Sequence, residues 1–407
     1  MFDQTPILVG LEVGTSKVCA VVGELHGDGQ LTIIGLGQSP SRGVRKGEIT
    51  DLEQARLDIQ AALSEAEQMA NVEIRSVFLG VSGAHIRGFN NRGVHPITSE
   101  DHEVTEQDVH DVIQNAQTIN LPASHEVIHA IRQHFLVDGQ DGILNPVGML
   151  GGRLEVDVHI IHGHVHRLQN AVRAVRELHL EVEDVVFNGL ASALAILDRE
   201  QKELGALVVD MGGGTTDYVV YTGGILRHAG VLAVGGDHLT NDLASGLKVA
   251  LSRAEQLKVD YGAALVDDRI RGQTLDLTNE FGATLRTVHL EHLRRIMHLR
   301  LEETFELVRQ EIEEAGLYES LRAGVFLCGG CARIPLVSQL AEQVFGLPVF
   351  QGRTQAVNGL KTALDQPEFA CAIGLLKYGA QRRRPALRSR GLMQNFTQTL
   401  RELFFRR

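Results

Sequence analysis

Two acids flank a turn suited to holding an anion, Asp210-Met-Gly212-Gly213-Gly214-Thr215-Thr216-Asp217. The apolar run Leu207-Val-Val leads into Asp210, and the β-branched run Tyr218-Val-Val-Tyr221 leaves from Asp217. Glycines take φ > 0 and admit close backbone approach. Successive N–H groups in such a turn make a nest for an anion. The hydroxyls of Thr215 and Thr216 add donors, and carboxylates on either side suit Mg²⁺, mostly through its waters. A plain glycine-rich hairpin would need neither the acids nor Thr-Thr-Asp. A Walker loop would run strand–turn–helix and carry Gly-Lys-Ser/Thr, which this stretch lacks.

The design recurs near the start, in Ile7-Leu-Val-Gly10-Leu-Glu12-Val-Gly14-Thr15-Ser16-Lys17 followed by Val-Cys-Ala-Val-Val22. A strand again meets an acid, turns through small polar residues and leaves as a strand. Two such turns far apart in one chain predict two similar lobes facing one nucleotide. Val234-Gly235-Gly236-Asp237 precedes a helical stretch and lets backbone approach the same ligand.

The paired turns resemble the two phosphate motifs of the actin, sugar-kinase and heat-shock-chaperone ATPases. Val325-Phe-Leu-Cys328-Gly329-Gly330-Cys331-Ala-Arg-Ile-Pro335 resembles the adenosine motif of that superfamily. Gly10-Leu-Glu-Val-Gly-Thr-Ser-Lys17, Pro40-Ser-Arg-Gly43, Asn145-Pro-Val-Gly148 and Asn188-Gly-Leu-Ala-Ser192 are similar to the bacterial cell-division FtsA family, over nearly the whole chain. The resemblance implies a two-lobed, actin-like (ribonuclease H-like) α/β fold with an inserted subdomain and a C-terminal amphipathic helix. It implies ATP and Mg²⁺ in the cleft. Gly14, Thr15, Ser16, Lys17, Gly212, Gly213, Gly214, Thr215 and Thr216 would cradle phosphates, with Gly235, Gly236, Gly329 and Gly330 approaching by backbone. Glu12, Asp210 and Asp217 would order the metal and its water; the superfamily usually has Asp where Glu12 stands. Glu255 and Lys258 would lie beside ribose and adenine, or else form a surface ion pair three residues apart on a helix. Related ATPases place a Glu or Gln near Asn188 to orient the attacking water. Asparagine is a poor base, so slow hydrolysis is expected, with Asn188 and Asp210 as the candidate catalytic residues. Asn188 as a mere helix cap is the other reading.

At 407 residues the chain exceeds one core, and 43% hydrophobic content supplies several. The net charge of −12 argues against nucleic acid as a partner. Four cysteines and no signal peptide fit a reducing cytosol, and no apolar run is long enough to span a membrane. The expected subdomains are IA (1–82, 162–200, 366–380), the family-specific IC (83–161), IIA (201–240, 320–365) and IIB (241–319), then a basic linker (381–390) and a membrane-targeting helix (391–407). A helix capped by Asp51 would bury Leu52, Ala55, Ile59, Ala62, Leu63, Ala66 and Met69. Val77-Phe-Leu-Gly-Val81 reads as a strand, and helices are expected over 105–117, 168–179 and 190–201. Residues 241–320 read as largely helical, with a long stripe Leu293, Met297, Leu301, Phe305, Val308 and Ile312. Pro335 would open a helix ending before Gly346.

Three patterns mimic metal sites. His125-Glu-Val-Ile-His129 has the zincin form, but Val127, Ile128 and Ile131 favour a strand, on which four residues span about 13 Å, too far for one zinc. His162, His164 and His166 alternate as on one strand face, and a polar face beside a turn accounts for them. Cys328 and Cys331 have the C-x-x-C form without a second pair for zinc, and glycines serving an adenine explain them better.

The resemblance further implies a protein that polymerises, tethers the tubulin-like FtsZ to the cytoplasmic face of the inner membrane at the division site, and recruits later division proteins through 83–161. Arg300, on a helix face with Arg294 and Arg295, would receive the FtsZ C-terminal peptide, or would simply be solvated. In 391–407, Leu392, Met393, Phe396, Leu400, Leu403 and Phe404 form an apolar arc for an anionic membrane surface; packing on the protein itself is the alternative. Rival functions are a pilus-assembly actin homologue and a small-molecule kinase, neither of which needs such a tail.

Overall fold

The computed structural model of the chain describes residues 6–27, 29–278, 284–354, 358–359 and 365–383. It opens with a meander, β1 (Ile7–Val13), β2 (Lys17–Leu25) and β3 (Leu31–Pro40), and a small hairpin, β4 (Val44–Arg45) and β5 (Glu48–Ile49). Helix α1 (Leu52–Ala70) starts where Asp51 accepts the Gln54 N–H at 3.0 Å. Ala55, Ile59, Ala62, Leu63 and Ala66 are buried, while Met69 at the end of the stripe is exposed. Strand β6 (Ser76–Val81) pairs parallel to β1.

An inserted unit follows: β7 (Arg87–Pro96), α2 (Glu106–Gln117), β8 (His125–Val137), β9 (Gln140–Ile143) and β10 (Arg153–His164). Its sheet has the order β7-β10-β8-β9, and its own core includes Val112, Ala116, Phe135, Leu154, Val156 and Val158. Thr105 and Asp108 form a capping box at the start of α2. Then α3 (Val165–Arg176) and β11 (Glu181–Phe187) return to the first sheet. Helix α3 starts and ends earlier than 168–179, and His179 turns the chain at φ 61°.

The single helix expected over 190–201 is two, α4 (Asn188–Ile196) and α5 (Arg199–Leu204). Leu197 is extended, and Asp198 caps the second helix by accepting the Gln201 N–H at 2.7 Å. The second lobe is β12 (Ala206–Met211), β13 (Thr216–Thr222), β14 (Ile225–Leu232), α6 (Gly236–Leu247) and α7 (Leu251–Tyr261). A hairpin, β15 (Thr274–Thr278) and β16 (Thr284–His289), interrupts the stretch expected to be helical; the alternation Thr274-Leu-Asp-Leu277 carries its period of two. Helix α8 (Leu290–Glu314) buries the whole stripe from Leu293 to Ile312. After β17 (Gly324–Cys328), α9 (Val337–Phe345) begins past Pro335, because Leu336 turns left-handed at φ 65°. It stops at Gly346, φ 65°. Strands β18 (Val349–Gln351) and β19 (Asn358–Gly359) and helix α10 (370–383) complete the fold. The first three residues of the expected basic linker continue α10, with Arg382 on Asp184 at 3.0 Å and Arg383 on Glu183 at 2.6 Å.

The two main sheets share one plan. The first runs β11-β6-β1-β2-β3 with β19 at its edge, and the second runs β18-β17-β12-β13-β14. Each is an antiparallel meander whose first strand also pairs parallel to a later strand. The turn between the first two strands of each sheet therefore falls at an equivalent place.

Candidate nucleotide site

Those two turns face one cleft of about 610 Å³, within the ordinary range for small-molecule sites. Gly14 N–H donates to Lys17 O at 3.0 Å, and Gly212 N–H to Thr215 O at 2.9 Å, closing each turn. A Cβ on Gly213 would sit 3.1 Å from Ser16 Cβ, and one on Gly214 would sit 2.7 Å from Lys46 Cα. The close approach of the two lobes is what requires glycine there. Gly236 and Asp237 N–H groups hold the carbonyls of Gly212 and Gly213 at 3.0 and 2.7 Å.

Two residues assigned to the cradle support it from behind. Thr216 is fully buried and donates to Val234 O at 2.8 Å, so its hydroxyl does not face the cleft. Gly235 packs under the Gly212 and Gly213 carbonyls, where a Cβ would collide at 2.6 and 2.7 Å, while Gly236 lines the cleft. Gly14, Thr15, Ser16, Lys17, Gly212, Gly213, Gly214 and Thr215 all line it.

The electrostatics of the floor suit a cation. Burial and the Glu12 charge push the Asp210 carboxyl up to about 7, against the Ser192 hydroxyl that donates to it. Burial and Asp210 push Asp217 well above the carboxylate range, against donation from Ser82 Oγ at 2.5 Å. Oxygen donors of this kind fit Mg²⁺. Among the described residues no group of three or more His, Cys, Asp or Glu is arranged to hold a metal by itself. Glu12 is already engaged, with Oε2 3.0 Å from Lys17 Nζ. Burial pulls the Lys17 pKa down, Glu12 pushes it up, and the net shift is upward, so Lys17 stays cationic beside the phosphate turns.

The N-cap position falls to Phe187, and Asn188 is the first residue of α4. Its buried Oδ1 has no partner and its side chain lines the cleft, so the cap reading falls and an acceptor is left for water. Glu255 and Lys258 do form an ion pair, at 2.7 Å, but at the cleft; Lys258 also reaches Gly236 O at 3.1 Å and Thr240 Oγ1 at 2.9 Å. Gly329, φ 81°, leaves no room for a Cβ beside Met211 O, and Gly330 opens into the cleft. Cys328 and Cys331 are buried free thiols, and Cys331, 3.4 Å from Gly212 O, braces the second turn.

Sequence reasoning passed over Ser82, Ser192 as a donor, Gln38, Gly47, Arg333 and Glu368, all within or against this site. Arg333 and Glu368 join at 2.6 Å at the cleft rim. Only the runs containing Ser192 and Arg333 carried any signal. The rest come together through long-range pairing.

The histidine patterns separate as well. His125 and His129 lie on β8; His129 accepts the Phe187 N–H at 3.0 Å, and burial pushes it down to about 4, so it is neutral. His162 and His164 end β10 but His166 belongs to α3, so the three do not share a strand face. Arg300 is held by Asp242 at 2.6 Å and by Glu303, Arg294 reaches Tyr261 O at 3.2 Å, and Arg295 is exposed. Leu392, Met393, Phe396, Leu400, Leu403 and Phe404 lie outside the described residues.

Two like sheets, each offering an anion-nest turn to a shared cleft, define the actin-like ATPase fold. The structure described as the PilM-PilN type IV pilus biogenesis complex matches it with TM-score 0.66 at 17% identity, covering 92% of this chain and 98% of that one. MreB 5 of Spiroplasma citri bound to AMPPNP matches with TM-score 0.55 at 15% identity, covering 96% and 99%. Family models for cell division protein FtsA and for the SHS2 domain inserted in FtsA match residues 207–374 and 83–162. Cell division protein FtsA of Pseudomonas aeruginosa is 38% identical over 376 residues (92% of this chain, 90% of that one). That of Escherichia coli strain K12 is 39% identical over 382 residues, with the same coverage. The chain belongs to the FtsA family of cell-division proteins.

Proposed function

We propose that this chain binds Mg²⁺-ATP between its lobes, hydrolyses it slowly at most, polymerises, and tethers FtsZ to the cytoplasmic face of the inner membrane at the division site. The observation that carries the nucleotide part is the meeting of turns 14–16 and 212–215 on one cleft whose buried acids are raised by burial and by neighbouring acids, despite the Lys17 charge. The MreB relative of this fold, bound to AMPPNP, supports the same reading. Turn N–H groups and Lys17 would hold the phosphates, while Asp210 and Asp217 would hold the waters of Mg²⁺, which neutralises phosphate charge. Asn188 Oδ1 accepts a hydrogen bond from water but takes no proton at neutral pH, which keeps hydrolysis slow. Gly213→Val is the direct test. Its branched side chain fills phosphate space, since even a Cβ there lies 3.1 Å from Ser16. ATP affinity by calorimetry is expected to fall at least about 100-fold, roughly 3 kcal/mol. An unchanged affinity overturns the nucleotide reading.

The partner part rests on family membership and on the cationic side of α8. An acidic FtsZ peptide at Arg300 must compete with Asp242, which holds the guanidinium by two nitrogens at 2.6 and 3.2 Å. Arg300→Glu is expected to weaken the FtsZ C-terminal peptide at least about tenfold, and Asp242→Asn to tighten it, by fluorescence anisotropy. If neither variant moves the affinity, the peptide binds elsewhere.

A further inference from the structure

We propose that Ser82 is a positioning residue through which the inserted 83–162 unit reads the nucleotide state of the cleft; this rests on the ATP reading above. Ser82 follows directly on β6, a central strand of the first lobe, yet its hydroxyl bonds only to the second lobe. It is 2.5 Å from Asp217 Oδ1 and 3.1 Å from Thr215 Oγ1. The Asp217 carboxyl oxygen accepts from Ser82, and with that one proton spent the Ser82 oxygen accepts from Thr215. Both partners belong to the phosphate and metal set. A phosphate oxygen that takes the Thr215 proton removes one bond from Ser82, and a hydrated cation at Asp217 competes for the other.

The next residue, Gly83, begins the inserted unit. The β4–β5 tip is wedged against that junction, where a Cβ on Gly47 would lie 3.1 Å from Gly83 N. The same tip is tied to the first phosphate turn by Gly47 N–H on Thr15 Oγ1 at 2.9 Å. At its far side the inserted sheet docks on β14 of the second lobe. Asn90 donates to Arg227 O at 3.1 Å, Gln133 to Leu226 O at 2.9 Å, and Arg227 back to Gln133 Oε1 at 2.7 Å. The unit is thus joined covalently to one lobe and by hydrogen bonds to the other. Any change in the angle between lobes moves one attachment against the other, and Ser82 is the attachment bonded to Asp217 and Thr215.

The test is hydrogen–deuterium exchange on the full chain with and without Mg²⁺-ATP, with ATP affinity measured separately by calorimetry. In the unaltered protein, ATP is expected to change exchange in 87–96 and 125–137 by about tenfold. Ser82→Ala removes one hydroxyl, introduces no clash, and is expected to lose that response when ATP is supplied at saturation by the variant's own calorimetric affinity. Ser82→Thr, which keeps the hydroxyl, restores it. Arg227→Ala, away from the cleft, is expected to bind ATP normally and lose the response in 125–137. ATP-bound Ser82→Ala that responds like the unaltered protein overturns the proposal and leaves ATP binding standing. An unaltered protein that binds ATP with no change across 83–162 also overturns it. Failure to bind ATP at all overturns both readings, and calorimetry distinguishes that case.

Discussion

Replacing Asp210 with asparagine is expected to raise the melting temperature of the nucleotide-free protein at pH 8 by roughly 5 °C, and to abolish its further rise with Mg²⁺-ATP. The cause is a buried acid beside a second acid, which the nearby Lys17 charge does not offset. Burial and Glu12 carry the Asp210 carboxyl up to about 7, and Asp210 in turn raises Asp217. An acid whose folded pKa is raised costs stability as pH rises. Below about 4 both folded and unfolded chains hold the proton, and nothing is lost. Between about 4 and about 7 the unfolded chain ionises first, and above about 7 the whole cost, about 4 kcal/mol, falls on the nucleotide-free fold. Asparagine removes that cost and keeps an oxygen for the Ser192 hydroxyl. The gain is therefore expected to shrink to less than half at pH 5. A neutral amide at this position cannot counter the charge of Mg²⁺, so ligand stabilisation is lost with it. This is the stability-for-function exchange expected of a binding site. A variant that melts lower than the unaltered protein at both pH values would show that Asp210 is already compensated and that no cation is missing.

What was legible from the sequence was local in character. The phosphate turns were readable because strand, acid, glycines and hydroxyls follow one another without interruption, and backbone geometry does the rest. Helix α8 was readable because its stripe keeps one period over several turns. The site's supports were not readable. Ser82 meets Asp217 and Arg333 meets Glu368 through folding of the two lobes, with no periodicity or spacing to announce the pairing. Thr216 was misassigned because adjacent strand residues point to opposite sides, so only one of two neighbouring threonines can face the cleft. The break at Leu197 and the β15–β16 hairpin were lost to competing signals, an Asp198 cap inside an apolar run and a short alternation inside a polar one. Arg382 and Arg383 were read as linker by composition, but acids on β11 fix them to the fold.

Replacing Phe396 and Leu400 with glutamate is expected to abolish binding to anionic vesicles while leaving ATP affinity unchanged. Arg383, bonded to Glu183 at 2.6 Å on β11, holds the last described residue to an edge of the first sheet. From residue 384 onward six arginines stand against one acid, Glu402, although the whole chain carries −12. At 100° per residue Leu392, Met393, Phe396, Leu400, Leu403 and Phe404 fall within about 120° of arc, with Gln394, Asn395, Thr397, Gln398, Arg401 and Glu402 opposite. Phe405 falls on the polar side, so the apolar arc ends at Phe404. A basic, amphipathic segment on an acidic body is attracted to anionic lipid while the body is repelled. Each large apolar side chain removed from the interface forfeits about 1.5–3 kcal/mol. Each negative charge introduced against the lipid adds about 1 kcal/mol. Together the two substitutions are expected to weaken partition at least about 1,000-fold, enough to move the protein from pellet to supernatant in a vesicle-sedimentation assay. Vesicles of neutral lipid should bind the unaltered protein far less, because the arginines then have no opposite charge. A helix docked on the protein's own surface gives a different pattern, with a lowered melting temperature in the double variant and no dependence on lipid charge. If the double variant still sediments with anionic vesicles, the anchor lies elsewhere in the chain.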